Sequence, residues 1–225
     1  MPIAEETFED ALNQAASVGE IKPLSDAYFS AQDTDRIKVE KALLRAMDAL
    51  EAKGWDKEIF KGIAGIRMPD SAMAKGIESL MNLGAALALV SISENEKISE
   101  NMRKLASDSI SKSVFVLEEK ERIGYLVDML GNRKLSQELK AEIEKSCIRV
   151  AKSLGRKGSF RKLEKVINNR NSTHGIRESV NRELLAREHY LAVIEEYLRQ
   201  RIVQDKKMRP NGKKGQNAEK VTSLS

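Results

Sequence analysis

Five segments of this chain resemble one another, and their spacing limits the fold more than any single residue does. They are DTDRIKVEKALLRAMDAL (33–50), PDSAMAKGIESLMNL (69–83), ASDSISKSVFVLEEK (106–120), LSQELKAEIEKSCIRVAKSL (135–154) and NSTHGIRESVNRELLA (171–186). Each has Ser, Asp or Asn within its first two residues. Those side chains accept hydrogen bonds from the first free helical N–H groups. Each segment then places an aliphatic anchor: Ile37, Met73, Ile110, Leu139 and Ile176, separated by 36, 37, 29 and 37 residues. A self-similarity of that period belongs to paired-helix repeats.

Within the segments the apolar residues keep to one helical face. In 135–154 they are Leu139, Ile143, Cys147, Val150, Ala151 and Leu154, in steps of 4, 4, 3, 1 and 3. Shorter apolar helices are predicted between these long ones. They carry Ile21, Leu24 and Tyr28; Trp55, Ile59, Ile63 and Ile66; Ile98, Met102 and Leu105; Ile123, Leu126 and Leu130; and Phe160, Leu163 and Ile167. Gly54, Gly155 and Gly158 stand at junctions, where a helix commonly ends in a left-handed residue. An opening helix near 4–17, with Phe8 and Leu12, closes one end. No β-branched run alternates with period two, so no strand is predicted. The expectation is an all-α chain of about five antiparallel helix pairs.

The segments DRIKVEKALLRAM, SQELKAEIEKSCIRVAKSLG and HGIRESVNRELLA resemble the second helix of HEAT-type repeats, over roughly residues 20–190. Ile37-Lys38, Leu139-Lys140 and Ile176-Arg177 fill that helix's aliphatic-basic slot. The third repeat, with a spacing of 29, departs from the pattern, and only Pro23 and Pro69 stand for the usual first-helix proline. The resemblance implies a curved right-handed α-solenoid presenting a binding surface, and no particular reaction. The solenoid is expected over 1–204 and a disordered basic tail over 205–225, where Pro210, Gly212 and Gly215 interrupt a polar run. Residues 176–204 read as one long helix, roughly 43 Å at 1.5 Å per residue, or as two shorter ones. It serves either as a cap or as a projection toward a partner or second copy.

Composition removes several classes of function. One Cys makes no internal disulfide, and one Cys with two His does not supply a closed Cys/His zinc site. Aromatics at 4% are too few for stacking platforms on single strands. The N-terminus lacks the basic and apolar regions of a secretory signal. The longest uncharged run, Ser79 to Ser93, is too short to span a bilayer and reads as a buried core helix. A cytoplasmic chain without membrane contact is expected.

No catalytic or cofactor-binding set emerges. Cys147 lies on the apolar stripe and reads as a core thiol; His174 falls in a turn and His189 on an exposed helix. Gly155-Arg156-Lys157-Gly158-Ser159 superficially resembles a phosphate cradle, but a helix stop followed by a Ser159 cap explains it more cheaply. Asp33/Asp35 and Glu94/Glu96 read as acids at helix starts, favoured by the dipole.

The net charge of +5 divides unevenly. Residues 1–120 hold 15 basic and 21 acidic groups, and residues 121–225 hold 24 and 13. Lys145, Arg149, Lys152 and Arg156 form a stripe about 200° from the apolar one. Lys157, Arg161, Lys162, Lys165 and Arg170 continue it, with only Glu144 and Glu164 near enough to neutralise locally. These nine residues are the candidate binding site. The first reading is a non-enzymatic scaffold for another protein with an acidic surface. The alternative is a nucleic-acid-associated protein using the basic C-terminal repeats and tail.

Overall fold

The computed structural model describes residues 3–208, with side chains described over 8–204. Among the described residues there are eleven α-helices and no strand. They are α1 (Ile3–Val18), α2 (Ile21–Ser30), α3 (Asp33–Ala52), α4 (Asp56–Gly65), α5 (Asp70–Leu83), α6 (Ala86–Ser93), α7 (Glu100–Glu119), α8 (Ile123–Leu130), α9 (Gln137–Arg156), α10 (Phe160–Ile167) and α11 (His174–Met208).

The odd-numbered helices follow one another side by side, α1 on α3, α3 on α5, α5 on α7, α7 on α9 and α9 on α11. Each short even-numbered helix packs against the long helix after it. One apolar cluster runs through the array from Leu12 to Val180.

A single buried pattern recurs along the long helices. In α3 it is Val39, Ala42, Leu43, Ala46, Met47 and Leu50. In α7 it is Ala106, Ser109, Ile110, Ser113, Val114 and Leu117. In α9 it is Ile143, Ser146, Cys147, Val150, Ala151 and Leu154. The steps are 3, 1, 3, 1, 3 each time, and α5 keeps the same phase with Ala72, Met73, Gly76, Ile77 and Leu80. Four residues past the last buried position the backbone turns left-handed: Gly54 at φ 70°, Gly84 at 80°, Glu121 at 51° and Gly158 at 69°. That residue ends the long helix and aims the chain into the next short one.

Two expectations about this array need correction. The run 79–93 is not one helix. Gly84 divides it into the end of α5 and the separate helix α6, so α6 is the short helix of its pair. Ile98, Met102 and Leu105 do not form that helix; Met102 and Leu105 belong to the opening turns of α7, with Ile98 buried just ahead. Ile37 is also no anchor. It is 59% exposed, because it lies two residues, or about 200°, from Val39 and so falls off the buried stripe.

Helix starts are less uniformly capped than the sequence suggests. Ser136 accepts from the Leu139 N–H at 3.2 Å, and Thr173 accepts from the Ile176 N–H at 3.4 Å. The N-cap positions of α3 and α5 are Gln32 and Pro69, neither making a side-chain cap bond; Asp33, Asp35 and Asp70 sit in the first turns. There they act through the helix dipole. Glu94 ends α6 rather than starting a helix, and accepts from Lys134 at 2.6 Å.

α11 is one helix of 35 residues, and it runs four residues past the expected domain boundary. The remainder of the expected tail, 209–225, lies outside the described residues.

Candidate basic interface

α9 positions the centre of the candidate site. Its buried stripe faces α7, α8 and α11, which leaves Lys145, Arg149, Lys152 and Arg156 on the solvent side. On α10, Leu163 and Val166 are buried while Arg161, Lys162 and Lys165 are exposed. Arg170 is exposed in the loop between α10 and α11, and Lys157 is exposed at the end of α9. All nine expected residues therefore reach solvent.

Two of the nine are already committed. Arg149 donates to both oxygens of Glu118, at 2.5 Å through Nε and 2.6 Å through Nη2. Lys157 donates to Glu121 at 2.8 Å, and the Ser153 hydroxyl donates to the same oxygen at 2.6 Å. Glu118 lies in the last turn of α7 and Glu121 just past its end, one helix pair earlier. The neutralising groups are thus Glu118 and Glu121, not Glu144 and Glu164. Glu144 accepts from Thr173 at 2.5 Å. Glu164 takes Arg187 of α11 at 3.4 Å, and that guanidinium also lies 4.8 Å from the centre of the Phe160 ring. Sequence spacing along one helix does not reveal partners on the previous helix pair, which is why these acids were missed.

The bridges hold these carboxyls in the charged form. The Arg149 hydrogen bond lowers the affinity of Glu118 for protons, against an opposing effect of partial burial. Glu121 is lowered by Lys157, then by Ser153, with a contribution from the nearby charge of Lys162. Lys157 and Lys162 therefore converge on Glu121 at the α9–α10 turn.

The other seven cations are different. Among the described residues, no carboxylate lies within 4.0 Å of Lys145, Lys152, Arg156, Arg161, Lys162, Lys165 or Arg170. Lys152 and Arg156 stand one turn apart on one face of α9, with Lys145 two turns earlier. Arg170 stands apart from them, beyond the other end of α10.

The glycine-rich turn is no anion cradle. Gly158 is the left-handed helix stop, and a Cβ on Gly155 would collide with the Glu183 side chain of α11. A carboxylate therefore lies against the turn. Ser159 occupies the N-cap position of α10 without a side-chain cap bond.

Cys147 is fully buried, and burial, with the Glu144 charge adding to it, pushes the thiol up to about 12. His174 and His189 are both exposed and fifteen positions apart on α11. Among the described residues no three His, Cys, Asp or Glu side chains gather as a metal site, and no helix is long and apolar enough to cross a membrane.

A groove elsewhere on the molecule went unseen in the sequence. The helices α6 and α8 scarcely meet, and a groove of about 460 Å³ lies between them over Ala85, Ala88, Leu117 and Met129, edged by Arg122 and Tyr125. The signal was Gly84 followed by small residues, hidden by reading 79–93 as one helix.

No protein-family model matches the chain, and neither the curated proteins nor the solved structures searched contain a match.

Proposed function

We propose that this chain is a right-handed α-solenoid of HEAT-like helix pairs and a non-enzymatic scaffold whose basic C-terminal face binds an acidic protein surface. The solenoid reading draws support from the repeated buried pattern and from the serial contact of the long helices. The binding reading rests on one observation. The fold neutralises Arg149 and Lys157 with acids from the preceding pair, yet among the described residues no carboxylate lies within 4.0 Å of Lys145, Lys152, Arg156, Arg161 or Lys165. Such an excess of one sign is complementary to an acidic surface and raises its rate of encounter.

Binding of a fluorescent Asp/Glu-rich peptide to the full chain, followed by anisotropy across a salt series, tests this. Affinity falls as salt rises. It drops at least tenfold when Lys145, Lys152, Arg156 and Lys165 are changed to Glu; Arg149 is left intact because it bridges helices. No binding at low salt, or binding that survives the four changes, removes the proposal. A generic RNA or DNA duplex competing more strongly than the peptide, with a steeper salt dependence, moves the assignment to nucleic acid.

A further inference from the structure

Only the start of α11 is built into the body of the protein. Ile176, Ser179 and Val180 are buried, and Leu184 and Arg187 are half-buried. From there the helix continues to Met208. At 100° per residue, Tyr190, Leu191, Ile194, Tyr197, Leu198 and Ile202 fall within an arc of about 140°. Tyr190 is 65% exposed, Tyr197 60% and Leu198 50%. A helix of this length gains most of its stability from covering its apolar face, and among the described residues this one stays exposed.

We infer that this face is covered by the same face of a second copy of the chain, forming a two-fold helix pair. Area is the first reason. Five of the side chains, at exposures of 45–65%, offer roughly 500 Å² per copy, taking somewhat under 200 Å² for each residue. Two copies reach the threshold of about 1,000 Å² for a specific interface before any flanking polar contact is counted. Charge is the second. Residues 188–204 carry Glu188, Glu195 and Glu196 against Arg199 and Arg201. This balance suits neither a strongly acidic nor a strongly basic partner, and it complements itself. An antiparallel pair sets Glu195 and Arg199 of one copy beside Arg199 and Glu195 of the other, the reciprocal contact of a two-fold interface. Arg187 does not intrude, because Glu164 and Phe160 hold it against the body.

Light scattering and sedimentation on the full chain from 1 to 100 µM test the inference. The dimer has a mass of about 50 kDa, twice the 25.2 kDa chain. Leu191→Glu with Leu198→Glu raises the dissociation constant at least a hundredfold, while His189→Ala, on the opposite face, leaves it unchanged. A monomer at 100 µM overturns the proposal, as does a dimer that survives the paired Glu substitutions. Should the double variant lose helicity, Leu198→Cys decides. Mild oxidation links it into a disulfide dimer if the faces meet, and leaves it monomeric if they do not; Cys147 is buried and takes no part.

Discussion

Arg149 spans from α9 to α7 and grips both oxygens of Glu118, while its Nη2 also takes the Ser146 hydroxyl at 3.0 Å. The guanidinium is more than half exposed and the carboxylate mostly covered. Solvent screening keeps such a bridge modest, so Arg149→Ala costs about 1 kcal/mol in urea melts at pH 7. The affinity of Glu118 for protons is lowered on folding, first by Arg149. Its contribution is therefore complete above the usual carboxylate range and disappears as acid protonates it in the folded state. The stability gap between wild type and Arg149→Ala closes as pH is lowered from 7 through about 4 toward 2; a gap that stays constant contradicts this assignment.

Glu121 occupies a left-handed position that glycine fills in the neighbouring helix ends. A non-glycine residue there is strained, and here Ser153 and Lys157 hold it. Glu121→Ala loses both contacts and keeps the strain. Glu121→Gly loses the contacts and relieves the strain. Thermal melts are expected to place Glu121→Ala below Glu121→Gly, and the reverse order would remove the strain from the account.

Glycines 84 and 124 make opposite predictions for one substitution. A Cβ on Gly84 would meet Leu117 Cδ2 at 2.8 Å, and the backbone there is left-handed. Gly84→Ala should destabilise by about 1–3 kcal/mol. Gly124 lies inside α8 with open space around its Cα. Gly124 is in the first turn of α8, so Gly124→Ala should stabilise by a smaller amount than in a helix interior, about 0.5 kcal/mol. Denaturant midpoints report both.

Cys147 gives a probe of opening. The folded thiol is buried and its ionisation is pushed up to about 12, so a disulfide reagent at pH 8 should label it only through unfolding. The labelling rate then rises with urea as global stability falls. Rapid labelling of the native protein at pH 8 contradicts the burial described.

The all-α class and most helix positions were legible because buried residues on a helix recur at 3 and 4, a rule local to the chain. Val150 and Leu154 could be placed inward from spacing alone. Breaks were harder to read. An uncharged run such as 79–93 has no polar face to show its phase, and one left-handed Gly84 decides that it is two helices. Exposure of the seven basic residues on α9 and α10 was legible for the same periodic reason. Their pairing was not, because Glu118 lies 31 residues before Arg149 and meets it only after adjacent helix pairs stack.

The contact between α7 and α9 carries a mechanical consequence. These helices touch less extensively than α5 with α7 or α9 with α11. Their buried faces include Ser113 and Ser146, and the Ser113 hydroxyl has no hydrogen-bond partner among the described residues. Glu118–Arg149, Glu121–Lys157 and, between the loops, Glu94–Lys134 fasten this seam from outside. The α1–α3 and α3–α5 seams carry one such bridge each, Glu9–Lys38 and Asp48–Lys75, beside more extensive apolar packing, which moderate salt leaves largely intact. Between α7 and α9 a larger part of the elastic constant is electrostatic. Ionic strength is therefore expected to loosen the α7–α9 seam more than the apolar packing on either side of it.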